Sequence, residues 1–216
     1  DVVFNIGAGT YNEQVSFPDI AGTSEDATIT FQSATGNVNS VTITNSSYPT
    51  LSFDGADWIT FKNLKITNSS GNVIQVPGSS DHVTIENNWI KGIAGTSTFT
   101  QSLINVQGMP SNLSIENNTL EKGSAWFYST SGSGTAMKAD LSIMGNTMKD
   151  QSYYGAYIYY FDGVEFHENH IVNDSAFQYG FGYYGMGYWY NCSDFNITKN
   201  YLGANTSNGW YYGLYM

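Results

Sequence analysis

A short phrase recurs six times along the chain, and this repetition constrains the fold more than any other feature of the sequence. The copies read ITFKNLKI, VTIENNWI, LSIENNTL, LSIMGNTM, VEFHENHI and FNITKNYL, at residues 59–66, 83–90, 113–120, 141–148, 164–171 and 195–202. They align without gaps, and successive copies are offset by 24, 30, 28, 23 and 31 residues. A repeat of this length with variable spacing indicates short strands joined by loops of changing length.

The eight columns of the aligned phrase alternate between apolar and polar residues. Columns one, three and eight are wholly apolar, whereas columns two and four are mostly polar or charged. Column one holds Ile59, Val83, Leu113, Leu141, Val164 and Phe195, and column three holds Phe61, Ile85, Ile115, Ile143, Phe166 and Ile197. A period of two predicts a strand with one buried face. Because one such unit cannot bury that face alone, we expect the copies to stack as coils of a solenoid.

Column six predicts a ladder of stacked asparagines. Its members are Leu64 in the first copy and then Asn88, Asn118, Asn146, Asn169 and Asn200. Asparagine tolerates the left-handed backbone conformation, and its side chain can bond to neighbouring backbone groups. We therefore expect column six to form a sharp bend between two short strands.

These phrases resemble the coil unit of right-handed parallel β-helix proteins of the pectate-lyase-like superfamily. The opening VVFNIGAGTYNEQVSF is similar to the first coil of many members. Together with IAGTSEDATITFQSATGN and FDGADWITFKNLKIT, it also resembles β-helix regions of large secreted surface proteins of Bacteroidota. The resemblance covers the whole chain and implies an all-β, right-handed parallel β-helix of about eight coils. It implies no particular activity, because this architecture hosts lyases, hydrolases, esterases, phage tailspikes and adhesin stalks.

The chain is expected to be one β-helix domain over residues 1–216 and a segment of a longer secreted polypeptide. It ends in WYYGLYM, which reads as a strand of a further coil, whereas solenoids normally end in caps. The resemblance places it outside the cell or at the cell surface. A net charge of -11 disfavours nucleic acid as a partner, and no apolar run is long enough for membrane insertion. No motif indicates a cofactor.

The basic residues argue against enzymatic handling of acidic polysaccharides. All seven are lysines, so the chain contains no arginine. Enzymes of the resembled superfamily that act on acidic polysaccharides typically use arginine, whose planar guanidinium binds a carboxylate through two hydrogen bonds. The Asn-Thr-Asp and Gly-His-Gly motifs of polygalacturonases are absent as well.

Column four offers one candidate for catalysis. It holds Lys62, Glu86, Glu116, Met144, His167 and Thr198, which should point outward. Coils about 4.8 Å apart would bring Glu86 and Glu116 near the separation of about 5 Å that retaining glycosidases use. The alternative is a solvated charge ladder in which Lys62 offsets Glu86.

A second cluster of polar residues raises the question of a metal site. It comprises Asp162, Glu165, His167, Glu168, His170 and Asp174. Histidines with carboxylates can bind a divalent metal, but the spacing matches no established zinc motif. The sequence therefore predicts no metal site.

Aromatic residues provide the strongest indication of binding. Fourteen of the seventeen tyrosines lie between residues 153 and 215. Alternation in AYIYYF predicts an inner face of Ala156, Ile158 and Tyr160 and an outer face of Tyr157 and Tyr159. The candidate binding residues are Tyr157, Tyr159, Tyr188, Tyr190, Trp210 and Tyr212. They form either a purely structural ladder or a strip that contacts carbohydrate or another protein.

Two functions follow from these observations. The first is a non-catalytic structural or adhesive module of an extracellular fibre or adhesin, whose partners are carbohydrate or neighbouring copies of the same or another surface protein. The alternative is a polysaccharide-active enzyme, either a hydrolase or lyase or a depolymerase like those of phage tailspikes, with Glu86 and Glu116 as its candidate residues.

Overall fold

The computed structural model describes residues 1–93, 98–133, 136–173, 184–204 and 212–216. Twenty-four strands and one short 3-10 helix, Phe99–Gln101, occur in these ranges. The first four coils contain β1 Val2–Ile6, β2 Gly9–Asn12, β3 Val15–Pro18, β4 Ile29–Ser33, β5 Val41–Asn45, β6 Leu51–Asp54, β7 Ile59–Lys62, β8 Lys65–Asn68, β9 Ile74–Val76, β10 Val83–Glu86, β11 Trp89–Lys91 and β12 Ile104–Val106. The last four contain β13 Ser111–Glu116, β14 Thr119–Glu121, β15 Phe127–Ser129, β16 Lys138–Met144, β17 Thr147–Lys149, β18 Tyr154–Tyr159, β19 Phe161–His167, β20 His170–Asn173, β21 Tyr184–Tyr190, β22 Ser193–Thr198, β23 Tyr201–Ala204 and β24 Tyr212–Tyr215.

The strands form three parallel sheets of eight strands, and each coil contributes one strand to each sheet. In order, the first sheet is β1-β4-β7-β10-β13-β16-β19-β22, the second is β2-β5-β8-β11-β14-β17-β20-β23, and the third is β3-β6-β9-β12-β15-β18-β21-β24. The six phrases stack in the predicted register; for example, Ile85 pairs with Phe61 on one side and Ile115 on the other. The predicted all-β parallel solenoid of about eight coils is confirmed.

The hydrophobic core fills the inside of the solenoid. Columns one, three and eight are fully buried from the third coil to the seventh. In the last coil Phe195 is 44% exposed, while Ile197 and Leu202 pack partly buried against the core. The inner face of the third sheet contributes Leu51, Phe53, Ile74, Val76, Ile104, Val106, Phe127, Ala156, Ile158 and Trp189.

The predicted asparagine ladder is continuous, and each side-chain amide in it bonds to two backbone groups of the preceding coil. Asn118 accepts a hydrogen bond from the backbone N–H of Asn88 at 2.9 Å and donates from Nδ2 to the carbonyl of Ile85 at 2.8 Å. Its own backbone N–H donates to Oδ1 of Asn146 at 2.9 Å. The same pattern runs to Asn200. The ladder therefore satisfies backbone groups at a corner where no strand pairing is available.

Of the two reasons expected for asparagine in column six, side-chain hydrogen bonding to the backbone is confirmed, whereas the left-handed conformation was wrong. The left-handed residues occupy column five, with φ between 53° and 64° at Asn63, Asn87, Asn117, Gly145, Glu168 and Lys199. The residue before column one is left-handed too, with φ between 47° and 76° at Trp58, His82, Asn112, Asp140, Gly163 and Asp194. Two left-handed residues thus bracket columns one to four in each of the six copies, and column six owes its asparagines to hydrogen bonding.

We expect Asn118→Ala to lower the free energy of unfolding by about 2 to 6 kcal/mol, because it leaves the buried N–H of Asn88 and carbonyl of Ile85 unpaired at about 1 to 3 kcal/mol each. Asn200→Ala is the matched control, because Asn200 is partly exposed and water can replace its amide. Urea denaturation of both variants measures the two losses. Equal losses would contradict the role of the buried ladder.

Candidate functional site

The three outer faces of the solenoid differ in chemistry. Strands of the first sheet carry six acidic residues, Glu86, Glu116, Asp140, Asp162, Glu165 and Asp194. Strands of the second sheet carry three lysines, Lys65, Lys91 and Lys149, and one acidic residue, Glu121. The third sheet presents tyrosines over its second half. Each face is therefore a separate candidate surface.

The candidate carboxylates on the first sheet are neighbours but are bonded within the solenoid. Glu86 pairs in register with both Lys62 and Glu116. Lys62 Nζ lies 3.3 Å from Glu86 Oε1, and the Ser114 hydroxyl bonds to Glu116 Oε1. The proposed offset of Glu86 by Lys62 is thus present, and the two carboxylates differ in their partners.

Residues of the predicted second cluster separate along the surface. Asp162 accepts from the hydroxyl of Ser193 at 2.6 Å, and Glu165 accepts from Nδ2 of Asn196 at 2.9 Å. His167 shares the outer strand face with Glu165, as predicted. Glu168 and His170 flank the corner; Lys199 Nζ lies 3.0 Å from Glu168 Oε1, and His170 stacks on Tyr201 at 4.6 Å between ring centroids. Asp174 lies outside the described residues.

No three histidine, cysteine or acidic side chains converge on a possible metal position within the described ranges. A cavity of about 400 Å³ lies on this face. Residues that precede column one line one side of it, and residues of column two line the other. Its polar lining includes Asn112, Ser142, Asp140, Glu165 and Asp194.

An ion-pair network on the second sheet surrounds Glu121. Lys91 Nζ lies 2.7 Å from Glu121 Oε1, while Lys149 Nζ lies 3.7 Å and Trp89 Nε1 lies 3.1 Å from Oε2. Burial alone would raise the pKa of the Glu121 carboxyl, but the hydrogen bond and charge of Lys91, followed by Lys149 and Trp89, hold that pKa below its ordinary value. Lys65 Nζ lies 4.2 Å from the centroid of the Trp89 ring. This carboxylate is therefore fully engaged as a counter-ion.

Tyrosines on the third sheet form two rows along the solenoid. One row runs through Tyr128, Tyr157, Tyr188 and Tyr215, with centroid separations of 5.3, 5.1 and 5.0 Å. Tyr159 and Tyr190 form the other row at 4.7 Å. Phe99 of the 3-10 helix stacks on Tyr128, with 3.9 Å between ring centroids, at the start of the first row.

Most of the predicted outer tyrosines lie where the alternation put them. Ala156 and Ile158 are buried, and Tyr157 and Tyr159 are on the outer face. The inner position predicted for Tyr160 was wrong, because this residue turns the corner with φ 54° and is only half-buried. Trp210 lies outside the described residues, as does the side chain of Tyr212.

One lysine is buried inside the solenoid. Lys138 is 1% exposed, its Nζ donates to the carbonyl of Ser131, and the same atom lies 4.8 Å from the centroid of the Phe161 ring. Burial lowers the pKa of Lys138 to about 8, although a charged Cys192 thiolate would oppose that change. Within the described part of the chain, no carboxylate forms an ion pair with Lys138, so burial dominates.

Sequence reasoning missed the network around Glu121 and the buried Lys138. One further column of the alignment, directly after column eight, reads Thr67, Lys91, Glu121, Lys149, Val172 and Gly203. Alternating charges in such a column are the signal that would have revealed the network. Lys138 lies three residues before column one, where the other copies have Ala56, Ser80, Pro110, Phe161 and Cys192. A lysine in that uncharged column is the corresponding signal.

The match to a family agrees with the geometry. Residues 29–214 match the family described as a right handed beta helix region. The chain belongs to this β-helix family. Right-handed parallel coils are therefore established, and membership leaves the activity open because the family includes both enzymes and structural proteins. No curated protein and no solved structure matches this β-helix. Among its described residues, no helix has the length and apolar character needed to cross a bilayer.

We expect replacement of Lys138 to change how stability depends on pH. Its folded pKa of about 8 lies below the ordinary value of 10.5, so the unfolded chain binds the proton more tightly between these values. The contribution of Lys138 to stability therefore rises as pH increases from 8 toward 10.5 and is constant below 8. Lys138→Met should be more stable than wild type at pH 7, and the difference should narrow by roughly 2 to 3 kcal/mol by pH 10, since one pKa unit corresponds to about 1.4 kcal/mol.

Urea denaturation of both proteins at constant ionic strength measures this difference. Both proteins carry Cys192→Ser, because the Cys192 thiol and the Lys138 ammonium influence each other's pKa. If the difference in free energy of unfolding between the two proteins does not change with pH, Lys138 does not have a lowered pKa in the folded protein.

Proposed function

We propose that the protein is a non-catalytic β-solenoid module of an extracellular fibre or adhesin, and that the tyrosine rows of its third sheet contact neighbouring copies. The observation that carries the proposal is the regular stacking of these tyrosine rows. They lie on a solenoid in which hydrogen bonds join each coil to the next. The proposal extends the family membership, which supports the fold alone.

Rigidity follows from the way in which polar groups are used. The ladder amides and the ion pairs Lys62 with Glu86 and Lys91 with Glu121 join successive coils. Networks that bridge coils oppose bending and sliding, because a displacement of one coil breaks several contacts together. A stiff rod of this kind suits a structural role.

The geometry of the tyrosine rows favours a protein partner over a sugar ring. Tyr157 and Tyr188 stack with an interplanar angle of 12°, and Tyr188 and Tyr215 with 3°. Their faces are therefore covered by one another along the row, and mainly ring edges and hydroxyl groups reach the surface. A sugar normally packs on an exposed ring face, whereas edges and hydroxyls suit the mixed apolar and polar character of protein interfaces, where tyrosine is enriched.

Exposure increases toward the second row and the last coil. Tyr190 is 41% exposed and Tyr215 is 47% exposed, while Tyr157 and Tyr188 are half-buried. Burial, followed by repulsion from Tyr159 and Tyr188 in their charged forms, raises the pKa of the Tyr157 hydroxyl. Tyr157 is therefore neutral at physiological pH, and its hydroxyl can act as both hydrogen-bond donor and acceptor.

We expect the purified protein to release neither reducing ends nor unsaturated products from a panel of neutral and acidic polysaccharides. Lys62 and Ser114 engage the two candidate carboxylates, so neither is placed as a free acid or nucleophile. Turnover that disappears in Glu86→Gln and in Glu116→Gln, but persists in the control Glu165→Gln, would instead establish the polysaccharide-active alternative.

A second prediction concerns the contact face. Replacement of Tyr159 and Tyr190 together by serine should reduce concentration-dependent self-association in analytical ultracentrifugation. The matched control replaces Gln75 and Gln107 by serine, because these two residues bond to each other at 2.7 Å in earlier coils on the side of the third sheet. A wild-type protein that stays monomeric at all concentrations, or an equal effect of the control, would contradict contact through the tyrosines.

A further inference from the structure

We propose that Tyr159 and Tyr190 form an oxidative modification site, at which a peroxidase-type oxidant joins the two rings by a dityrosine bond within one copy of the chain. The two residues pair in register on the adjacent strands β18 and β21. Their ring centroids lie 4.7 Å apart, and their ring planes are inclined by 20°. The bond forms inside a single molecule, so it does not depend on the proposed contact between copies.

The geometry places like atoms of the two rings opposite each other. Parallel strands repeat at about 4.8 Å, and the separation of the two ring centroids matches this repeat. Because the Cα atoms of Tyr159 and Tyr190 are also paired, backbone and ring are offset together by one repeat. One ring is therefore close to a translated copy of the other, in the stacked contact that aromatic pairs favour. The Cε carbons beside the hydroxyl of one ring consequently face those of its partner.

Coupling at these carbons is a balanced two-electron oxidation. Each phenol gives up one electron and one proton and becomes a phenoxyl radical, whose unpaired electron is shared with the Cε carbons. Two such radicals form one Cε–Cε bond, and the hydrogen on each bonded carbon then moves to the oxygen of its own ring. One molecule of hydrogen peroxide, activated by a haem peroxidase, accepts the two electrons and two protons and leaves as two waters. The product joins the sixth and seventh coils covalently.

An oxidant has access to this pair through Tyr190. Tyr190 is 41% exposed, whereas Tyr159 is half-buried. Tyr157 and Tyr188 stack at 5.1 Å, and they also stack on Tyr159 and Tyr190 at 5.5 and 6.5 Å respectively. Four nearly parallel rings thus form a two-by-two array through which an electron can pass. A radical formed on Tyr190 can therefore move to Tyr159, after which Tyr190 is oxidised again and the two radicals are adjacent.

Exposure alone does not select this site. Tyr48 and Tyr201 are 56% and 57% exposed, which is more than Tyr190. Tyr201 stacks on the His170 ring, and within the described ranges neither Tyr48 nor Tyr201 stacks on another tyrosine. A radical on either ring therefore has no adjacent phenol with which to couple inside the molecule.

Treatment of dilute protein with a haem peroxidase and hydrogen peroxide tests the proposal. Digestion after acidic residues separates the two tyrosines, because Asp162 lies between them. We expect the monomer to yield a linked pair of peptides whose mass is that of both peptides less two hydrogen atoms, with the bond placed at Tyr159 and Tyr190 by fragmentation. All samples carry Cys192→Ser, because a thiol can reduce a tyrosyl radical and Cys192 Sγ lies 3.6 Å from the carbonyl oxygen of Tyr190.

Tyr159→Phe and Tyr190→Phe should each abolish this bond, because phenylalanine has no hydroxyl from which to form a phenoxyl radical. Tyr48→Phe and Tyr201→Phe are the matched controls, since each removes a more exposed hydroxyl and should leave the yield of the linked peptides unchanged. Thermal melts of all variants verify that they fold.

Three results would overturn the proposal. The first is that the two peptides stay unlinked, and the second is that fragmentation places the bond between other tyrosines. The third is that dityrosine appears only in cross-linked dimers, which would assign the reactivity of Tyr190 to contact between copies. Internal cross-linking of a protein that stays monomeric supports the site even if the proposed fibre contact fails, so the two proposals are tested separately.

Discussion

Hydrogen bonding from one coil to the next is the constraint on which the rest of the structure depends. A parallel solenoid has no local pairing within a coil, so each strand finds its partners only in the coils above and below. The asparagine amides extend this dependence to a corner, where Asn118 and Asn146 satisfy backbone groups of adjacent coils. The register between successive strands is consequently the same along the aligned copies. Each outward-facing column of the alignment therefore contributes one residue per coil to an outer face.

Much of the fold could be predicted because the repeat encodes both the buried face and the register. The apolar alternation of column one and column three was sufficient to place Ile85 and Ile115 in the core. The chemistry of the corner was less accessible, because Asn is favoured both by left-handed backbone and by amide hydrogen bonding. Only the φ values separate the two causes, and they assign the left-handed backbone to residues such as Asn117 and the hydrogen bonding to Asn118.

Functional surfaces were harder to predict from the sequence, because outward residues are free to vary and their meaning depends on neighbours a whole coil away. Glu86 and Glu116 could be paired from the alignment, but the engagement of Glu116 by Ser114 arises within one strand from side-chain rotamers. Trp89 illustrates the same difficulty, since its contact with Lys65 and its bond to Glu121 join three coils. Reading each outer column together with its two neighbours would have predicted more of the charged network than reading the phrases singly.

The left-handed corners affect how the protein loses its structure. A non-glycine residue in this conformation is strained by roughly 1 to 2 kcal/mol, and corners such as Asn87 and Asn117 are held in it by hydrogen bonds to the next coil. A coil whose neighbour has unfolded loses these hydrogen bonds, so its own corners are released. Loss of structure should therefore spread from coil to coil along the stack, and the amide protons of adjacent coils should exchange together.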